Sequence, residues 1–81
     1  MNIKLIKTKF IKSLKIRIMK FKEFTNVITL VKKGNVKVGQ IGTIIHVLTD
    51  PEGYIVEFCN DKDFAPWAVE TYMPNELDFL N

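Results

Sequence analysis

Two glycines placed three residues apart, Gly39 and Gly42, stand at the start of a β-branched run that continues to Val47. Glycine can adopt a positive φ at a turn, as we expect for Gly39, and it lets a strand bend sharply or another backbone come close, as we expect for Gly42. Beyond them, Ile44, Ile45 and Val47 place apolar side chains on both faces of one strand, as a strand wrapped into a small barrel requires. This stretch predicts a small β-barrel and, by itself, says little about function.

Short β-rich segments alternate with polar turn segments from Phe21 onward. The turn segments are 32–35, 50–53 and 60–63, each containing the Gly, Pro, Asn or Asp residues that turns favour. We predict strands over 26–31, 41–48 and 54–59, a fourth strand starting near Pro66, a helical turn over 74–77 and a short fifth strand at the end of the chain. Four or five short antiparallel strands predict a mainly β fold that closes, or nearly closes, into a barrel without exposed edges.

The charges divide the chain into two parts. Residues 1–22 hold seven lysines and Arg17 but no acidic residue, a charge of +8, whereas 23–81 hold four lysines and nine acidic residues, a charge of −5. We therefore divide the chain into a basic N-terminal extension, 1–20, and one small domain, 21–81. Lysines interrupt every apolar run of the extension, which predicts neither a signal peptide nor a membrane span. The single cysteine, Cys59, favours a reducing cytoplasmic location.

Within the extension, apolar residues at helical spacing predict a short helix at about 3–13, whereas 14–18 has the alternation of a strand. We interpret the extension as solvated or loosely docked. Docking on the acidic domain, on an acidic membrane surface or on nucleic acid are open alternatives. Met19 is a plausible alternative start, since the globular pattern begins only at Phe21.

The segment 38–47 followed by 54–59 resembles the small bacterial domain-of-unknown-function family 4926, whose pattern is glycine-glutamine-valine-glycine-threonine-valine-valine followed by an alternating tyrosine-to-phenylalanine strand. The resemblance covers about 21–80 and departs from the family pattern at Ile55 and over 61–67. It implies an SH3-like barrel, and the Gly39-x-x-Gly42 spacing is also similar to the KOW motif of ribosomal and transcription-factor barrels. It further suggests an antitoxin or immunity-type role, since genes of the family often lie beside small toxin-like genes. It implies no catalytic residue.

No constellation for catalysis or cofactor binding is evident. His46 lies in the middle of the best predicted strand, where we expect it to face outward rather than act as a base. Cys59 is expected to be a buried small hydrophobe, since no cationic residue stands close to it in sequence to lower its pKa. One histidine and one cysteine cannot form a four-ligand zinc site, and the acidic turn residues lack EF-hand spacing. We therefore predict a non-enzymatic protein with no cofactor and no metal.

The binding candidates are acidic and aromatic, because 50–81 holds eight acidic residues against Lys62 alone. Trp and Tyr are frequent interface anchors, and a negative field favours basic partners. We predict a protein-binding surface built from six residues: Asp50, Glu52, Asp61, Asp63, Trp67 and Tyr72. Tyr54 is a further exposed candidate, whereas Trp67 could equally fill the core. The predicted function is binding of a basic protein; the alternative is a KOW-like nucleic-acid-binding module that uses the basic extension.

Overall fold

A computed structural model of the protein describes residues 19–80, which form five β-strands and one 3₁₀ turn. The elements are β1 (Asn26–Thr29), β2 (Ile41–Leu48), β3 (Gly53–Cys59), β4 (Pro66–Tyr72), the 3₁₀ turn Pro74–Glu76 and β5 (Leu77–Phe79). Every predicted strand is confirmed, and β2 has the predicted bounds. The first strand ends two residues earlier than predicted. The predicted helix at 3–13 lies outside the described residues.

All five strands belong to one antiparallel sheet, in the order β4-β3-β2-β1-β5. The β2–β3 register shifts between Ile44 and His46, so that Ile45 is the extra residue of a β-bulge. His46 is exposed, as predicted. This arrangement confirms the mainly β class and the strand count; the SH3-like description stays a prediction. The predicted absence of exposed edges is wrong for the described residues, because β4 and β5 each pair with a single strand and form the two edges of the sheet.

The core lies on one face of this sheet and includes residues from every strand. The fully buried apolar side chains in the strands are Val27, Ile44, Tyr54, Val56, Phe58, Tyr72 and Leu77. Tyr72 comes from one edge strand and Leu77 from the other, yet both belong to one cluster. The sheet must therefore bend around a single core, because a flat sheet could not bring its two edges to the same cluster.

Two residues before β1, Lys20 and Phe21, pack against the sheet and form hydrogen bonds with it. Phe21 is buried, its ring meets Tyr54 edge-on at 5.1 Å between centroids, and its backbone N–H donates to the Tyr54 hydroxyl at 3.1 Å. The Lys20 ammonium donates to the carbonyls of Pro74 and Leu77, each at 3.1 Å. The ordered packing of the domain therefore includes Lys20 and Phe21.

Lys33, in the β1–β2 connection, ties that connection to the end of β4. Its ammonium lies 2.9 Å from Glu76 Oε1, donates to the Thr71 carbonyl at 2.7 Å and sits 5.0 Å from the centre of the Tyr72 ring. The Met73 backbone N–H also donates to Glu76, at 2.8 Å. This backbone hydrogen bond, together with Lys33, lowers the pKa of the Glu76 carboxyl.

Candidate functional site

An open groove of about 370 Å³ lies where the start of β2 faces the end of β3. It is lined by the segment Gly39–Thr43 together with Glu57, Cys59 and Asp61. Thr43 and Glu57 are direct cross-strand partners, which places their side chains side by side on the outer face of the sheet. The groove therefore combines backbone of the glycine-rich segment with the two carboxylates of Glu57 and Asp61.

Thr29, a fully buried polar side chain of β1, fixes the groove wall. Its hydroxyl donates to the Lys37 carbonyl at 2.6 Å and accepts from the Gln40 N–H at 2.9 Å. The Gly39 N–H donates to the Thr29 carbonyl at 2.7 Å, and Gly39 has the predicted positive φ, +83°. The wall is thus held in place before any ligand binds. Thr29 was not predicted, since a threonine in a strand carries no signal for this role.

Gly42 provides space rather than an unusual backbone conformation. A Cβ at this position would lie 2.6 Å from Val56 Cγ1 and 2.7 Å from Phe58 Cε1. The expectation that a Cβ is excluded at Gly42 is confirmed, but the neighbours are core side chains rather than the approaching backbone that was predicted.

Cys59 is half-buried, so the prediction of a buried hydrophobe is wrong. It follows the fully buried Phe58 and alternates with it, so it lies on the outer face of β3 with Glu57. Its Sγ lies 3.3 Å from Glu57 Oε1, and this hydrogen bond raises the pKa of the thiol. A thiol held protonated is a poor nucleophile, and here it acts as a donor to Glu57.

The β3–β4 loop carries the carboxylates of Asp61 and Asp63 and the aromatic ring of Phe64, and Asp61 lines the groove. The Asn60 N–H donates to the Ala65 carbonyl at 3.0 Å, and the Ala65 N–H donates to Asp63 at 3.1 Å, so the loop is closed on itself. Phe64 has φ of +55° and is 79% exposed. A bulky residue in this backbone region is uncommon, and such strain concentrates at functional sites. Phe64 was missed, although an aromatic residue inside a polar turn was a signal that could have found it.

Trp67 is neither core nor free surface. It is 41% exposed, and its ring packs on the buried Phe58 at 5.8 Å between centroids. Five residues near the end of β3, in the β3–β4 loop and at the start of β4 form what we call the acidic–aromatic end: Glu57, Asp61, Asp63, Phe64 and Trp67.

The six residues predicted as one surface do not lie together. Asp61, Asp63 and Trp67 belong to the acidic–aromatic end, whereas Asp50 and Glu52 lie in the turn at the opposite end of the seven-residue strand β3. At about 3.3 Å per residue, β3 separates the two turns by about 20 Å.

Two of the predicted exposed residues are buried. Tyr72 is 0% exposed, because the face of β4 that carries it lies toward the core, and Tyr54 is also 0% exposed. The Tyr54 hydroxyl donates to Glu52, which also accepts from the Lys20 N–H at 3.2 Å. Burial and Glu52 raise the pKa of Tyr54. Glu52 therefore binds the N-terminal part of the domain through its Oε2 atom.

Residues 19–80 bring together no group of three His, Cys, Asp or Glu side chains able to hold a metal ion. Nor does this part of the chain contain a helix long and apolar enough to cross a membrane.

The fold and the site define a small, mainly β domain with a pre-formed groove at one end of its sheet. Residues 25–79 match the family described as a domain of unknown function (DUF4926), and the chain belongs to this family. The family resemblance predicted from the two glycine-containing segments is confirmed. Comparison with curated proteins and with solved structures finds no match.

Proposed function

We propose that the protein is a non-catalytic binding module that recognises a basic protein through its acidic–aromatic end. The observation that supports this function is the exposure of Phe64 and Trp67 beside Asp61 and Asp63. Exposed aromatic side chains with a polar rim are typical of protein-interaction sites. The partner's positive charge follows from the carboxylates, since opposite charge accelerates association and orients the encounter.

The groove supplies the second part of the proposal. Its carboxylates, Glu57 and Asp61, can accept hydrogen bonds from a lysine or arginine that enters between them. Because Thr29 already fixes the groove wall, binding of such a side chain costs little conformational entropy of the protein.

A basic toxin such as a nuclease is the specific class of partner that we propose. An antitoxin or immunity-type protein would neutralise it by covering its cationic surface. The nucleic-acid-binding alternative has less support, because residues 19–80 hold six lysines against nine acidic residues and would repel a phosphate backbone.

The test uses a peptide of alternating lysine and valine as the basic probe, with a glutamate–valine peptide as the charge control. We expect the full chain to bind the first and not the second. Asp61→Asn should slow association, whereas the matched variant Asp50→Asn, which removes the same charge from the far turn, should not. Slowing by both variants alike would mean that only overall charge matters and would contradict the proposed site.

Trp67→Ala should accelerate dissociation, with a loss of about 2 kcal/mol, or about 30-fold in Kd, typical of an interface anchor. Because Trp67 also packs on Phe58, the unfolding midpoint of this variant is measured first. Tight binding of duplex DNA by the full chain at about 0.15 M salt would contradict the proposal and favour the nucleic-acid alternative.

A further inference from the structure

Strand β4 is an edge of the sheet, since it pairs with β3 and with no other strand of the described residues. It has seven residues, against three in β5 at the opposite edge. An edge strand of this length presents a row of backbone N–H and C=O groups to which another strand can pair. Val69 is an exposed apolar side chain on the outer face of β4. Trp67 is the extra residue at a register shift between β3 and β4, and its partly exposed ring packs on the buried Phe58.

The direction of the β4 backbone groups follows from Lys33. Its ammonium donates to the Thr71 carbonyl at 2.7 Å, so that carbonyl points away from β3. Backbone groups alternate along a strand, and the N–H and C=O of Val69, two residues earlier, therefore point the same way. The backbone groups available for pairing at the β4 edge are therefore the Val69 N–H, the Val69 C=O and the Thr71 N–H. Lys33 occupies the Thr71 C=O at the C-terminal end of this edge.

The charges near this edge are those of the proposed site. Glu57 is the cross-strand partner of Val69 and lies on the same outer face. A strand added beyond β4 would lie two strand spacings, about 9.6 Å, from β3, which is within reach of an extended lysine or arginine. Asp61 and Asp63 precede the N-terminal end of the same edge.

We propose that the basic partner binds by adding a short strand to the free edge of β4. This inference rests on the proposed function and specifies how the partner is held. The added strand pairs with Val69 and Thr71 through its backbone and directs its basic side chains along the outer face, past Val69, toward Glu57 and the loop carboxylates. Its alternating apolar side chains lie on the opposite face, the side on which Trp67 packs against Phe58. Backbone pairing supplies affinity, and the alternating side chains supply specificity.

Amide hydrogen exchange of the full chain with the lysine–valine peptide tests this mode directly. In the free protein we expect the Val69 and Thr71 amides to exchange rapidly, and the ladder amides of Ala68 and Glu70 slowly. Saturation with the peptide should slow Val69 and Thr71 by about tenfold or more, because the new strand protects them.

The variant Val69→Pro removes the outward N–H without breaking the β3–β4 ladder, a position at which an edge strand tolerates proline. It should keep a cooperative unfolding transition and lose binding of the lysine–valine peptide. Val69→Thr is the matched control, since it keeps both the β-branch and the N–H and should bind the peptide as the parent chain does. If Val69→Pro does not fold, the exchange measurement on the parent chain decides alone.

The outcomes separate this inference from the proposed function. Peptide binding that depends on Asp61 and Trp67 but leaves the Val69 and Thr71 amides unprotected would overturn strand addition and leave the proposed function standing. Absence of any lysine–valine peptide binding would overturn both. Protection of these amides in the free protein that grows with its concentration would show a second copy at the edge, which also overturns the inference.

Discussion

Gly42 offers no space for a side chain, and Gly42→Ala should destabilise the domain. An ideal Cβ there would lie 2.6 Å from Val56 Cγ1 and 2.7 and 2.8 Å from Phe58 Cε1 and Cδ1. Both side chains are fully buried. Since favourable carbon–carbon contact begins at about 3.5 Å, each must retreat by about 0.7–0.9 Å.

The cost follows from the density of the core. Overpacking a core usually costs about 1–3 kcal/mol, and we expect about 2 kcal/mol for Gly42→Ala, with more for Gly42→Val because of its two further methyl groups. For a domain of this size 1 kcal/mol shifts the unfolding midpoint by about 4–8 °C, which gives a fall of about 8–16 °C for the alanine variant. A total stability near 5 kcal/mol would leave the valine variant marginal.

Thermal unfolding followed by circular dichroism measures the midpoint, with urea unfolding as a second determination. Gly53→Ala is the matched control, because a Cβ at Gly53 would meet Leu48 and Tyr72 at 3.5 Å and beyond, which is ordinary contact. We expect the control to stay close to the parent chain. A Gly42→Ala midpoint equal to that of the control would refute the packing explanation.

Three further predictions concern stability. The buried Tyr72 hydroxyl has no hydrogen-bond partner among the described groups, so Tyr72→Phe should raise the free energy of unfolding in urea by about 1 kcal/mol; a loss of that size would mean that the hydroxyl is satisfied. Since the folded pKa of Glu76 is lowered, its carboxylate stabilises the fold above the unfolded pKa of about 4.3, and this contribution is lost as the pH falls through the folded value. Glu76→Gln should therefore be less stable than the parent at pH 7, by up to about 1 kcal/mol, and the gap should close in acid unfolding experiments; a pH-independent gap would exclude the Lys33 ion pair as its cause. A chain truncated to start at Met19 keeps Lys20 and its contacts and should unfold cooperatively by both fluorescence and circular dichroism, whereas transitions that differ between the two probes would show that 1–18 is structural.

Strand positions in this protein were determined by local sequence. The alternation in 54–59 and 67–72, and the turn residues between the segments, place β3 and β4 within one residue of the observed bounds. These signals are local because backbone geometry sets a two-residue period and turns need particular residue types. Gly39 likewise predicted the left-handed turn, and Gly42 predicted a position without space for a Cβ, although the tertiary structure decided that core side chains fill that space.

Only the tertiary structure decided which face of each strand lies inside. In β4, alternation predicts Trp67 and Tyr72 on opposite faces, but a register shift against β3 at Trp67 lets its ring pack on the buried Phe58, while Tyr72 is fully buried in the core. The tertiary structure also separates the residues of the predicted surface, because β3 lies between Asp50 and Asp61 and places them at opposite ends of the sheet. Glu52 has a structural role because it accepts hydrogen bonds from Tyr54 and from the backbone of Lys20, which lies 32 positions away in the sequence. Charge and residue type can be read along a chain, but the grouping of side chains into a site depends on contacts between strands that no local pattern encodes.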